Sequence, residues 1–178
     1  IHGIESSLSP KGNQVTRMFG YHAIERILRG YMKIRDCGKG VCMLLTEDFL
    51  VASCCAGIAF GNAGCAAVHA LSYPLGAKYH VPHGEANYAV FDGVMKQYMA
   101  IRRDGEMDRL NSFMAGILGC GKEDVYRELR KLLDVILPRK PLRDYGVTPE
   151  DLEEFTESVM TEQGRLMANN FTELSRDM

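Results

Sequence analysis

The chain has 178 residues and a mass of 19.9 kDa, the length of one domain and enough to bury most of its unfolded surface without a disulfide or metal staple. Hydrophobic residues make up 46% and charged residues 25%, which excludes a disordered or fibrous chain. With 21 basic against 23 acidic residues, a net charge of −2 and a pI near 6.2, no basic face is implied, so neither nucleic acid nor a membrane is expected as a partner.

In chain order, nearly every segment carries the helical period. Met18, Tyr21, Ile24, Leu28 and Tyr31 fall three and four apart, with Arg17, Glu25, Arg26, Arg29 and Lys33 between them. Gly38 and Gly40 punctuate, and Val41 to Leu45 allow a short strand as an alternative to helix. Phe49 to Phe60 follows with Ala52, Ser53, Ala56, Gly57 and Ala59, small enough for a neighbouring helix to approach closely. Val90, Val94, Tyr98 and Ile101 mark the next helix, closed near Asp104-Gly105; Leu110, Phe113, Met114 and Ile117 mark another, closed by Gly119 and Gly121. Val125, Leu129, Leu132, Leu133 and Ile136 form an amphipathic face that Pro138 ends. Thr148-Pro149-Glu150-Asp151 is a helix start, with an N-cap hydroxyl, proline in the first turn and carboxylates facing the positive dipole end. The expected fold is all-α, one domain over residues 1–178, a bundle of six to nine helices without internal repeats. Ile1-His2 opens uncapped, as if inside a helix, and Phe171 to Met178 stops where a helix is starting, so both ends read as truncated.

The six cysteines, Cys37, Cys42, Cys54, Cys55, Cys65 and Cys120, sit mostly among Ala, Gly, Val and Leu, and no pair has C-x-x-C spacing. They read as buried, reduced thiols packing as small hydrophobes, which implies a reducing compartment, the cytoplasm. No signal peptide is expected, and no run of about 20 uncharged apolar residues stands out. Phe49 to Ala70, interrupted by Asn62 and His69, reads as a core helix pair.

Chemistry concentrates between Gly64 and Asn87. His69 and His83 stand fourteen residues apart, with Pro74, Gly76, Pro82 and Gly84 preventing one helix from joining them. A helix–loop–helix with His69 late in the first helix and His83 opening the second brings the rings together. Imidazole is the commonest metal ligand among side chains, and two or three suit Fe²⁺ or Zn²⁺. Spacing alone leaves an ordinary hydrogen-bonded role for these histidines equally open.

Gly64, His69, Pro74-Leu75-Gly76, Pro82-His83-Gly84 and Ala86-Asn87 together resemble the metal-binding signature of the iron-dependent (group III) alcohol dehydrogenases. Ile1 to Ser7 resembles that family's D-x-x-x-H-x-I-E helix, Met43 to Asn62 its helix ending A-F-x-N-A, and Met167-Ala168-Asn169-Asn170 its A-x-N-N-P stretch. Within the family, Leu71-Ser72-Tyr73-Pro74 and Tyr79 to Asn87 most resemble 4-hydroxybutyrate dehydrogenases. The resemblance covers essentially the whole chain but only the C-terminal, helical half of such an enzyme. No Gly-rich phosphate loop follows a strand here, so the dinucleotide-binding half is absent from this sequence.

The resemblance implies His2, His69 and His83 as ligands of Fe²⁺, with Zn²⁺ the alternative. The family's fourth ligand is an Asp four positions before the first His, a position that falls before Ile1. Tyr73 stands where a second histidine commonly lies near substrate and nicotinamide. A phenol still donates a hydrogen bond there, but with an ordinary pKa of about 10 it shuttles protons less readily than imidazole at neutral pH. Phe60 matches an apolar residue lining the same cleft, with core packing as the other reading. Lys78 and His80, on the signature loop, are the nearest cations for a substrate carboxylate, with plain solvated loop residues the alternative. The resemblance further implies NAD(H), held mainly by the other half, a small alcohol/aldehyde substrate, plausibly 4-hydroxybutyrate and succinate semialdehyde, and a homodimer. The competing reading is a helical metal-binding or interaction module without catalysis. His2-x-x-Glu5 superficially resembles a di-iron motif, but no second E-x-x-H accompanies it.

Overall fold

The computed structural model describes residues 1–177, and among them the backbone is helical with no strand. Nine α-helices occur among the described residues: α1 (His2–Leu8), α2 (Gln14–Cys37), α3 (Thr46–Ala63), α4 (Ala67–Tyr79), α5 (His83–Ile101), α6 (Glu106–Leu118), α7 (Val125–Ile136), α8 (Pro149–Glu162) and α9 (Gly164–Met167). Three short 3₁₀ segments join them. The helical class and the number of helices match the sequence-based expectation. Val41 to Leu45 differs: it lies within the 3₁₀ segment Lys39–Leu45, where Met43 and Leu44 point outward and no second strand is present to pair with.

Local chemistry explains most boundaries. Asn13 opens α2 by accepting from the Val15 and Thr16 N–H groups while Thr16 Oγ1 accepts from the Asn13 N–H. Thr148 and Asp151 make the same reciprocal cap at α8, with Pro149 as its first residue. α7 stops just before Pro138, whose ring disfavours helix in the preceding residue. Pro74, by contrast, lies inside α4 and does not end it. Residues 171–177 are not helical, unlike the helix start expected there. The Phe171 ring packs edge-on to Tyr98 and under the Arg102 guanidinium, and the Asn170 amide is committed elsewhere. Met178 lies outside the described residues.

The main core gathers Ile4 and Leu8 of α1, Ile24 and Leu28 of α2, Phe91, Met95 and Tyr98 of α5, Met107, Leu110 and Met114 of α6, and Val125, Leu129 and Leu132 of α7. Each such side chain contributes about 1.5–3 kcal/mol by leaving water, so this cluster carries most of the fold's stability. α1 can sit at the centre because it touches α2 through glycines. A Cβ on Gly20 would meet Ser7 Oγ at 2.4 Å and one on Gly3 would meet Gly20 O at 3.0 Å.

α3 buries only one side, Ala52, Cys55, Ala56, Ala59 and Ala63. Leu50, Cys54 and Ile58 stay exposed, so the expected core pair is half a surface helix. By length and composition, Lys39–Ala63 is apolar enough to cross a membrane, although Lys39, Glu47 and Asp48 lie within it. All six cysteines are free, but only Cys55 and Cys65 are buried; Cys37 and Cys54 are exposed, and Cys42 and Cys120 are half-buried.

Candidate metal centre

The site is built around the start of α4. Gly64 turns the chain out of α3 with φ +82°, and a Cβ there would meet Asn169 Nδ2 at 2.3 Å, so backbone angle and space both require glycine. α4 has no cap from its own sequence, since Ala66 occupies the N-cap position. Distant side chains satisfy its first N–H groups instead. Glu5 Oε2 accepts from the Ala66 N–H at 3.1 Å, Asn170 Oδ1 from Ala67 at 2.9 Å, and Glu5 Oε1 from Val68 at 2.7 Å. Ser9 Oγ donates to Ala63 O and Asn169 Nδ2 to Cys65 O, which fixes the rest of the turn.

His69 therefore lies in the first turn of α4, not late in the preceding helix as the spacing suggested. The Pro-Gly punctuation at 74–76 falls within the same helix, and the break between the two histidines is confined to 80–82. His69 is 2% exposed. Its Nδ1 lies 2.5 Å from Glu5 Oε2, and its Nε2 is buried with no hydrogen-bond partner. An imidazole that donates through Nδ1 to a carboxylate presents a lone pair at Nε2.

Two further rings complete the cluster. His2, on the first turn of α1, stacks on His69 with centroids 4.4 Å apart and on Phe60 at 4.3 Å. His83 opens α5 with its ring 5.3 Å from His69 and 6.2 Å from His2. One ligand-type nitrogen from each of His2, His69 and His83 lies within 4.8 Å of the others. Burial, reinforced by the repulsion a second proton would meet from His69, the N-terminal amine and His83, pushes the His2 pKa down to about 4, and burial with His69 also lowers that of His83. Both rings are neutral at pH 7, the form that ligates metals. Asn87, one turn along α5, donates from Nδ2 to His83 O at 3.0 Å and lies 3.0 Å from the ring Nε2.

Three imidazoles, one of them presenting a buried, unpartnered nitrogen, fit the divalent ion that the signature implies. Glu5, Cys65 and His69 form a second group of comparable spacing, but its donors are unavailable. Burial and the Glu5 charge push the Cys65 thiol up to about 12, and the Glu5 oxygens already accept three N–H bonds.

The other residues singled out from sequence lie at varying distances from this cluster. Phe60 stacks on His2 and is half-buried. Tyr73 is 41% exposed, its ring 6.4 Å from that of His83. Lys78 is turned away, paired with Asp151 at 2.5 Å and Glu154 at 2.7 Å, where it ties α4 to α8. His80 ends α4 in the left-handed region (φ 53°, ψ 29°) and is exposed. Sequence reasoning missed the anchoring roles of Glu5, Asn169 and Asn170. Glu5 was accessible as the residue one turn after His2 on the same helix face, whereas nothing local marks the asparagines.

The Fe-containing alcohol dehydrogenase C-terminal family model matches residues 1–178. The 4-hydroxybutyrate dehydrogenase of Clostridium kluyveri is 48% identical over 99% of this chain and 48% of its own length. Long-chain-alcohol dehydrogenase 1 of Geobacillus thermodenitrificans is 32% identical over 95% of this chain and 43% of its own. Among solved structures, an archaeal alcohol dehydrogenase from a Red Sea brine pool superposes with a TM-score of 0.85 at 22% identity, over 99% of this chain and 45% of that one. This last likeness establishes the fold alone. The chain thus spans about half the length of the curated relatives it matches, and it belongs to the Fe-containing alcohol dehydrogenase family, as its C-terminal part.

Proposed function

We propose that this chain is the metal-holding, substrate-facing half of an NAD-dependent alcohol/aldehyde oxidoreductase acting on 4-hydroxybutyrate and succinate semialdehyde. One observation carries the reading: His2, His69 and His83 converge, with His69 Nε2 buried and unpartnered between a fixed carboxylate and the other two rings. The substrate pair is supported by the 48% identity to the C. kluyveri enzyme. A divalent ion, Fe²⁺ or Zn²⁺, held by these three histidines supplies Lewis-acid polarisation of a substrate oxygen, and a nicotinamide supplies the hydride chemistry.

The chain's own residues bind, orient and exclude water. Phe60 holds the His2 ring flat and keeps its face dry. The exposed edge beside His83 is where substrate and nicotinamide approach, and the neighbouring, exposed Tyr73 donates a hydrogen bond to the substrate oxygen; its ring centroid 6.4 Å from that of His83 supports this role. Lys78 is engaged by two carboxylates, so the exposed His80 is the freer of the two cations on the signature loop for a substrate carboxylate. The exposed apolar side of α3, with Leu50 and Ile58 and the neighbouring Met43 and Leu44, supports a surface against which a nucleotide-binding half packs. Free cysteines throughout support the cytoplasm, and a homodimer belongs to the same reading.

The test is His83→Ala in the full-length enzyme carrying this chain, followed by metal content and NAD-dependent oxidation of 4-hydroxybutyrate. Joint loss of metal and turnover is expected. Turnover at the unsubstituted rate, or no oxidation of 4-hydroxybutyrate by the unsubstituted enzyme, would overturn the assignment.

A further inference from the structure

We propose that Glu5 is a positioning residue for the metal centre, acting through His69 and joining the helix of one ligand to the ring of another; the inference rests on the three-histidine reading above. Glu5 is 1% exposed. A carboxylate so deeply buried is costly unless its oxygens are fully engaged. Among the described residues its side-chain partner is the His69 ring, through Nδ1. The remaining acceptor capacity goes to the backbone N–H groups of Ala66 and Val68. One side chain thus does three things 61 to 64 residues away in sequence: it caps α4, fixes the turn that enters α4, and holds the His69 ring.

The consequence for the ring follows from its two nitrogens. With Nδ1 held on Glu5, the proton resides there and Nε2 is left as the donor atom facing the other rings. Glu5 also follows His2 by three residues on α1, so both side chains leave the same face of one helix turn. The relative placement of His2 and His69 is therefore set by a single turn of helix plus one hydrogen bond, not by the loop between α3 and α4. The Glu5 carboxylate behind the ring also strengthens His69 Nε2 as a donor.

Plain helix capping would account for the backbone bonds but not for the bond to the ring, and Asn170 separates the two. It caps the same α4 turn through Ala67 and, among the described residues, has no hydrogen bond to a histidine. Co²⁺ titration of the 178-residue chain, followed by visible absorption, is therefore run on the unsubstituted protein, Glu5→Gln and Asn170→Ala. Glu5→Gln keeps the shape but removes the charge and sets an amide donor against one of the N–H groups. It is expected to bind Co²⁺ about 10–100-fold more weakly with an altered ligand-field spectrum, whereas Asn170→Ala loses stability but keeps the affinity. Equal affinity in Glu5→Gln, or equal losses in both variants, would overturn the proposal. If Glu5→Gln does not fold, ¹⁵N-histidine NMR of the unsubstituted apo chain decides: a proton on His69 Nδ1 supports the proposal and one on Nε2 overturns it. No Co²⁺ uptake by the unsubstituted chain overturns the metal reading and takes this inference down with it.

Discussion

The turn that enters α4 and the α5–α6–α7 core are held together by different physics. Around residues 63–69 the contacts are polar, few and directional: Ser9, Glu5, Asn169 and Asn170 each reach a backbone group or ring that has no local partner. In the core, Phe91, Met95, Leu110, Met114, Leu129 and Leu132 pack without polar atoms, and no single pair sets the geometry. The first arrangement fixes where a ring nitrogen points; the second supplies the free energy that keeps the arrangement folded. Damage to the first is therefore expected to appear in ligand binding, and damage to the second in stability.

The largest effect separates these cleanly. His83 is exposed at the start of α5, so His83→Ala is expected to abolish Co²⁺ binding while moving the unfolding free energy by no more than about 0.5 kcal/mol; titration and urea unfolding on the same sample check both. Leu110→Ala, at a position 0% exposed, is expected to do the reverse, costing about 2–5 kcal/mol and leaving the affinity of the folded protein unchanged.

A pH series sharpens the comparison next. The His2 pKa is held at about 4 against an ordinary 6.5, so between those values the unfolded chain binds a proton that the folded one does not. Stability of the metal-free chain is therefore present in full above pH 6.5 and falls as pH drops toward 4. Urea midpoints should follow that slope, and His2→Phe should flatten it. The smallest effect is Thr148→Ala, which removes half of the α8 cap. It is expected to cost about 1 kcal/mol with Co²⁺ binding intact; a loss of binding would show that α8 is coupled to the site.

Legibility from sequence follows the same division. Helices with an apolar stripe, such as α7, and those with a local cap, such as α8, were readable because the determining residues lie within a few positions of one another. The start of α5 at His83 was readable from Pro82. The start of α4 was not, because its capping groups come from Glu5 and Asn170, 63 and 103 residues from the N–H groups they accept. Spacing alone therefore places His69 late in a helix although it lies in the first turn of α4, and nothing nearby in sequence reveals the role of Glu5 in that turn. Pro74 misled for a related reason: a proline costs one N–H, and packing of Ala70, Ser72 and Leu75, all at most 1% exposed, outweighs it. The ligand trio itself came from a motif resemblance, since spacing alone left it undecided.

The most direct test of the central claim is the metal content of the chain purified anaerobically at neutral pH and loaded with one divalent ion, measured by mass spectrometry beside a circular dichroism spectrum. The expected result is about one equivalent per folded chain, released as the imidazoles protonate. A chain that is helical and metal-free under those conditions would contradict the claim that His2, His69 and His83 suffice to hold the ion.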